Sequence, residues 1–186
     1  MTRSKRAEGI IIGRQDFGEL DKIVTIFSQR EGKIRTLAKG VRKINSRRLG
    51  SLELGNLVKL FFHRGKNFDI ITEVAVSDGL AELKNNHIKL GAIIFACEIL
   101  NALLPEKEEN QEIYRELLKL RSSIKKGKIK EIVFFEAKIL QILGYGLDKK
   151  IINFLKEGKL RQAHLELKQR IEAITERPLK TLAIFN

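Results

Sequence analysis

The stretch Ala7-Glu-Gly-Ile-Ile-Ile-Gly-Arg14, answered after a turn by Lys22-Ile-Val-Thr-Ile-Phe-Ser28, decides the fold of the first half of the chain. Both runs are short and rich in β-branched residues. Between them lies Asp16-Phe-Gly-Glu19, where glycine supplies the backbone conformations that a hairpin turn demands. Working outward, the pattern returns at Lys33–Lys39, Asn56–Arg64 and Phe68–Val76. The breaks are Arg30-Glu-Gly32, a long Gly40–Gly55 connection, and Arg64-Gly-Lys-Asn67. Five strands with no helix pattern between them predict a small barrel of the OB type, although an SH3-like barrel or an open sheet shares the pattern.

From Leu80 onward the period changes. Leu80–Leu104 is apolar around most of its circumference and predicts a central, buried helix. Asn110–Lys125 carries a narrower stripe at Ile113, Leu117, Leu118 and Leu120, and Ile129–Leu143 is again mostly apolar, stopping at Gly144-Tyr-Gly146. Ile151–Leu155 predicts a short helix, and Leu160, Leu167, Ile171 and Ile174 one face of another before Pro178. The expected class is therefore α+β, a five-stranded barrel over residues 1–79 followed by an α-helical bundle over 80–186.

Lys and Arg total 36 against 23 Asp and Glu, a net charge of +13. Such a field attracts polyanions, so nucleic acid is the leading partner class and an anionic membrane surface the second. The single cysteine, Cys97, excludes an intrachain disulfide framework and a Cys-rich zinc site, and its apolar surroundings predict a small buried hydrophobe. The N-terminus lacks a leader pattern and no apolar run reaches membrane length, so the cytoplasm is the expected compartment.

The charge is clustered. Between Lys33 and Arg48 lie Lys33, Arg35, Lys39, Arg42, Lys43, Arg47 and Arg48, with no acid among them. Strand alternation puts Lys33, Arg35 and Lys39 on one face and Ile34, Thr36 and Ala38 on the other. A cationic stripe then runs into a cationic loop that Gly40 and Gly50 leave free to flex. Several cations within a few residues is what phosphate binding needs, each displacing a condensed counterion. The strand Leu57–Arg64 alternates so that Lys59, Phe61 and His63 share a face, a candidate surface on which bases stack; Phe17 in the first turn is similar.

Catalytic signatures are missing. There is no P-loop, dinucleotide fingerprint or Gly-x-Ser-x-Gly. His63, His87 and His164 lack metal spacing, and exposed or capping roles are expected. Asp16, Glu19 and Asp21 could hold a metal as nuclease carboxylates do, but in a tight turn they more often serve turn geometry and pair with nearby cations. The chain is therefore not expected to be an enzyme, and no metal or cofactor is expected.

Glu8-Gly-Ile-Ile-Ile-Gly-Arg14 with Asp16-Phe-Gly-Glu-Leu-Asp-Lys-Ile-Val-Thr-Ile-Phe27 resembles the first hairpin of the bacterial RecO family of DNA-repair and recombination-mediator proteins. Glu31-Gly-Lys-Ile-Arg-Thr-Leu-Ala-Lys-Gly-Val-Arg42 is similar to that family's third strand and basic turn, and Phe62-His-Arg-Gly-Lys-Asn-Phe-Asp-Ile-Ile-Thr-Glu73 to its last hairpin. Leu103-Leu-Pro-Glu106, Phe135-Glu-Ala-Lys-Ile-Leu-Gln-Ile-Leu-Gly-Tyr145 and Glu176-Arg-Pro-Leu-Lys-Thr-Leu182 follow in order. The resemblance implies an OB domain packed on a helical domain. It also implies binding of single- and double-stranded DNA, annealing of complementary strands, and help in loading RecA onto DNA coated by the single-stranded-DNA-binding protein. Implied partners are RecR, with RecF as a further candidate, and the acidic C-terminal tail of that coating protein. Implied DNA contacts are Arg35, Lys39, Arg42, Lys43, Arg47 and Arg48. A tail site is expected in the helical half, with Arg115, Lys119 and Arg121 as candidates. Many members carry a four-cysteine zinc module after the Leu-Gly-Tyr segment; here Gly146-Leu-Asp-Lys-Lys-Ile-Ile-Asn153 stands instead, so zinc is not expected and the C-terminal lobe reads as shortened. The alternative from another class is an RNA-binding or ribosome-associated OB protein.

Overall fold

The computed structural model describes residues 4–43, 46 and 48–181. The chain divides into two compact units, one of residues 1–82 with 104–111, the other of 83–103 with 112–186.

The first unit is built from β1 (Ser4–Phe17), β2 (Asp21–Ser28), β3 (Gly32–Ala38), β4 (Leu57–His63) and β5 (Asp69–Asp78), close to the five strands read from the alternation. They close into a barrel in the order β1-β2-β3-β5-β4. β1 is long enough to serve two neighbours. Its first half pairs with β4, Ser4 opposite His63, and its second half with β2, Phe17 opposite Asp21. A register shift between Ile11 and Gly13 bends the strand on its second side. β3 and β5 complete the circle as a short parallel pair, Thr36 opposite Asp69.

The inward faces are the apolar ones: Ile11, Val24, Ile26, Ile34, Leu60 and Phe62 are buried in one cluster. The expected alternation of Val58, Leu60 and Phe62 inside against Lys59 and Phe61 outside holds. The long connection after β3 departs from the expected flexible loop. Val41 and Leu52 are buried in the barrel core, and Leu49 and Leu54 pack against it, so the loop is pinned at both ends. Buried Asn56 fastens its far end: the side-chain amide donates to the Gly50 and Ser51 carbonyls at 3.2 and 3.3 Å, and Oδ1 accepts the Leu80 N–H at 3.2 Å.

Residues 104–111 belong to this unit although they lie far along the chain. The Lys107 N–H donates to the Lys33 carbonyl at 2.8 Å, and Glu106 bridges Lys33 in parallel, so this segment straps the outside of β3. Gly32 makes the approach possible. It sits at φ +64, and a Cβ there would lie 2.2 Å from the Glu108 carbonyl oxygen.

The second unit comprises α1 (His87–Leu103), α2 (Gln111–Lys125), α3 (Glu131–Ile142), α4 (Lys149–Lys156) and α5 (Leu160–Thr175), Gln111 itself being counted with the first. α1 starts later than the apolar run suggested. Asn86 Oδ1 accepts the Lys89 N–H at 3.0 Å, an N-cap that fixes the start, and Ala81–Leu83 form only a 3-10 turn. α3 stops where the sequence placed the stop: Gly144 takes φ +81, its N–H bonds the Gln141 carbonyl, and the Tyr145 N–H bonds that of Leu140. Among the described residues no helix is long and apolar enough to cross a membrane.

His164 corrects the expectation of exposed or capping histidines. It is buried on α5, its Nδ1 2.9 Å from Glu136 Oε2 on α3, with Phe95 of α1 packed edge-on at 5.5 Å. Burial pushes the Glu136 carboxyl up to about 7, against the opposing pull of His164 and Lys168. The proton is therefore held more tightly in the folded chain than in the unfolded one, whose glutamate titrates near 4.5. That contribution to stability is present in full below pH 4.5 and lost as pH rises through 7. Glu136→Gln keeps the hydrogen-bond partner and removes the titration. Its melting temperature is expected to gain on the wild type as pH rises from 5 to 8, and a difference that stays flat would show the carboxyl ionised throughout.

Candidate nucleic-acid interface

The candidate cations are positioned by β3, by the pinned loop and by the β1–β2 turn. Gly40 leaves β3 with φ +63, and its N–H donates to Asp21 Oδ1 at 2.7 Å. The Arg42 N–H then bonds the Leu20 carbonyl at 2.9 Å, and its guanidinium reaches the Gly18 carbonyl at 3.3 Å and Asp16 Oδ2 at 3.4 Å. Loop and turn thus form one surface at one end of the barrel. Asp16 also accepts a short hydrogen bond from Lys22, which, with the nearby Arg42 and Arg14 charges, holds its carboxyl below the ordinary value. Asp16 thus serves charge pairing and Asp21 the geometry of the turn. Among the described residues no group of three His, Cys, Asp or Glu is arranged to hold a metal.

On this surface Arg35, Lys39, Arg42 and Lys43 are exposed. The Lys43 stem folds over Gly40, within 3.5 Å of where a Cβ would stand, which keeps its ammonium beside β3. Arg47 lies outside the described residues. Arg48 is half-buried and faces inward: its guanidinium donates to the Lys39 carbonyl at 2.7 Å and to that of Ile71 at 3.5 Å. It pins the loop to the barrel.

Lys33 is the clear correction. Alternation predicts an exposed cation, but Lys33 is only 9% exposed, at the point where the strap of residues 104–111 pairs its backbone with β3. The same strap brings Glu106 to 3.7 Å from Arg35. An acidic segment therefore lies along the cationic strand.

Lys59 is exposed and 3.8 Å from Glu8; Phe61 beside it is 40% exposed, facing Arg6 and Glu73 across its neighbouring strands. This face carries both signs of charge. Phe17 is 45% exposed at the first turn, edge-on to Phe68 with ring centroids 6.0 Å apart, and the Arg35 guanidinium sits 5.6 Å over the Phe68 ring. Phe68 was read from the sequence only as the first residue of the fifth expected strand, with no role at the site.

In the helical unit, α2, α3 and α4 border an open groove of ≈ 800 Å³. Phe134, Phe135, Ile152 and Leu155 line it with Lys119, Lys138 and Lys156 and with Glu116 and Glu131; Lys119 pairs with Glu116 at 2.8 Å and Lys138 with Glu112 at 2.9 Å. Of the three candidates for an acidic peptide, Lys119 lines this groove and Arg115 is exposed on the same helix. Arg121 is 2% exposed and cannot form a surface rim, because it falls on the buried stripe of α2 beside Leu117, Leu120 and Ile124.

A family model described as the N-terminal domain of recombination protein O matches residues 1–80, and one described as its C-terminal domain matches residues 85–150. The chain is similar to the DNA repair protein RecO of Roseiflexus sp. (strain RS-1), with 33% identity over 145 residues, 77% of this chain and 51% of that protein. The RecO proteins of Desulforamulus reducens, 31% identical over 140 residues, and Symbiobacterium thermophilum, 29% over 143, match about the same portion. The chain spans about half the length of these relatives.

Proposed function

The chain belongs to the RecO family of DNA repair proteins, and from that premise we propose that it is a non-enzymatic DNA-binding mediator that grips phosphates with the loop end of its barrel. The observation that carries this reading is the exposed set Arg35, Lys39, Arg42 and Lys43, assembled around the β1–β2 turn. Neutralising phosphates on two strands lowers their repulsion and lets complementary bases meet, which is annealing. Loading of RecA onto DNA covered by the single-stranded-DNA-binding protein follows if the chain also holds that protein. The apolar groove between α2, α3 and α4, with Lys119, Lys138 and Lys156 around it, suits an acidic peptide ending in a hydrophobic side chain. RecR, with RecF as a further candidate, completes the proposed set of partners, at the bacterial nucleoid in the cytoplasm.

Strand annealing on DNA precoated with its binding protein tests DNA contact and partner contact together. The reading expects annealing on bare and coated strands. No annealing on either, or tight preference for structured RNA over single-stranded DNA in competition, would contradict it.

The strap adds a quantitative expectation. A phosphate that approaches Arg35 competes with Glu106, and an exposed pair of this kind contributes ~0.2–1 kcal/mol. Glu106→Gln should therefore tighten DNA binding by about 1.5- to fivefold at low salt, read by fluorescence anisotropy. An unchanged affinity would mean that Arg35 makes no phosphate contact.

A further inference from the structure

We propose that Phe17, Phe68 and Arg35 form a subsite for an unpaired nucleobase and its adjoining phosphate, so that the barrel prefers single-stranded to duplex DNA. This rests on the proposed DNA-binding role and adds to it the chemistry that distinguishes one strand from two.

Phe17 stands at a hairpin tip, next to Gly18, whose surroundings are open, and nearly half of the residue is exposed. Leu20 in the same turn is 44% exposed, so the two side chains leave a joint apolar surface that the face of a base can cover. Phe68 braces it edge-on, at an interplanar angle of 70°, which fixes the ring without stacking on it. Phe68 in turn carries the Arg35 guanidinium over its face, so the cation is held next to the rings. Arg42 anchors the Gly18 carbonyl, immediately after Phe17, and thereby joins the aromatic platform to the basic loop.

Phe68 and Arg35 also line a cleft of ≈ 450 Å³ that Lys5, Arg30, Arg64 and Lys66 border. That volume falls in the about 300–1,000 Å³ range of small-ligand sites. Acids share the cleft: Glu31 pairs with Lys5 at 3.4 Å and Glu106 with Arg35 at 3.7 Å. The cations are therefore positioned in advance and exchange a carboxylate for a phosphate when DNA enters. Ring faces are accessible only on bases that are out of a duplex, and stacking is tolerant of base identity because every base has a π-face. The subsite should consequently read strandedness and not sequence.

The test is equilibrium binding of the full chain to a dye-labelled single-stranded oligonucleotide and to the matching duplex. Phe17→Leu/Phe68→Leu keeps apolar volume while removing both rings. It is expected to weaken single-strand binding by about tenfold or more and to leave duplex binding within about twofold. Phe17→Leu alone, at an exposed turn where folding is not at stake, should lose at least about threefold for the single strand. Single-strand affinities that stay within about twofold, or equal losses for strand and duplex, overturn the subsite. Lys39→Ala/Lys43→Ala, measured in parallel, should weaken both forms alike. If that variant changes neither, the phosphate surface itself is wrong, so the two readings fail on different variants.

Discussion

Replacing Arg35, Lys39, Arg42 and Lys43 together with alanine is expected to reduce DNA affinity by about a thousandfold at 0.1 M salt, because each phosphate contact contributes roughly 0.7–0.9 to the slope of log affinity against log salt. Four lost contacts should flatten that slope by about three. The fold should survive. Each side chain is exposed, and surface substitutions usually shift stability by about 0.5 kcal/mol or less. Arg42 is the one with a structural share, through the Gly18 carbonyl, but the Gly40–Asp21 bond and buried Val41 hold the same corner. Arg48 is left out deliberately, since its guanidinium serves the Lys39 and Ile71 carbonyls and its loss would loosen the loop. An affinity that falls less than about tenfold, with the salt slope intact, would move the DNA surface elsewhere on the chain.

Phe62→Ala should act through the scaffold. Phe62 is 1% exposed, lies between Lys5 on β1 and Ile71 on β5, and fills the centre of the barrel cluster. Removing a buried phenyl group typically costs about 3–5 kcal/mol, the transfer free energy plus the cavity left behind. Against a total stability of about 5–15 kcal/mol, that is enough to unfold much of the population near physiological temperature. Denaturant unfolding followed by circular dichroism should show the loss, and DNA binding should fall with it, because the barrel presents the cations. A cost under about 1 kcal/mol would contradict the interior placement of this side chain.

The barrel was legible because strands of half-buried sheet write a period of two into the chain, and Ile34, Thr36 and Ala38 or Val58, Leu60 and Phe62 obey it. What escaped was long-range. No local signal says that residues 104–111 return to lie on β3, so Lys33 read as an exposed cation when it is buried. Arg48 read as a free cation for the same reason, since its acceptors are backbone carbonyls contributed by Lys39 and by Ile71 on another strand. His164 and Glu136 are 28 positions apart and meet only when α3 and α5 pack. The start of α1 was missed because the apolar run begins at Leu80, ahead of the Asn86 cap that starts the helix. Within the candidate site the exposed cations Arg35, Lys39, Arg42 and Lys43 were visible as a run without acids. Phe68 was not, because a phenylalanine at a strand edge looks the same whether it fills a core or borders a cleft.

The central claim is that this end of the barrel holds DNA by its phosphates. The most direct measurement is the affinity of the unmodified chain for a single-stranded oligonucleotide, titrated from about 0.05 to 0.3 M salt. Four contacts predict a log–log slope of about −3 or steeper. An affinity that hardly changes across that range would contradict the account.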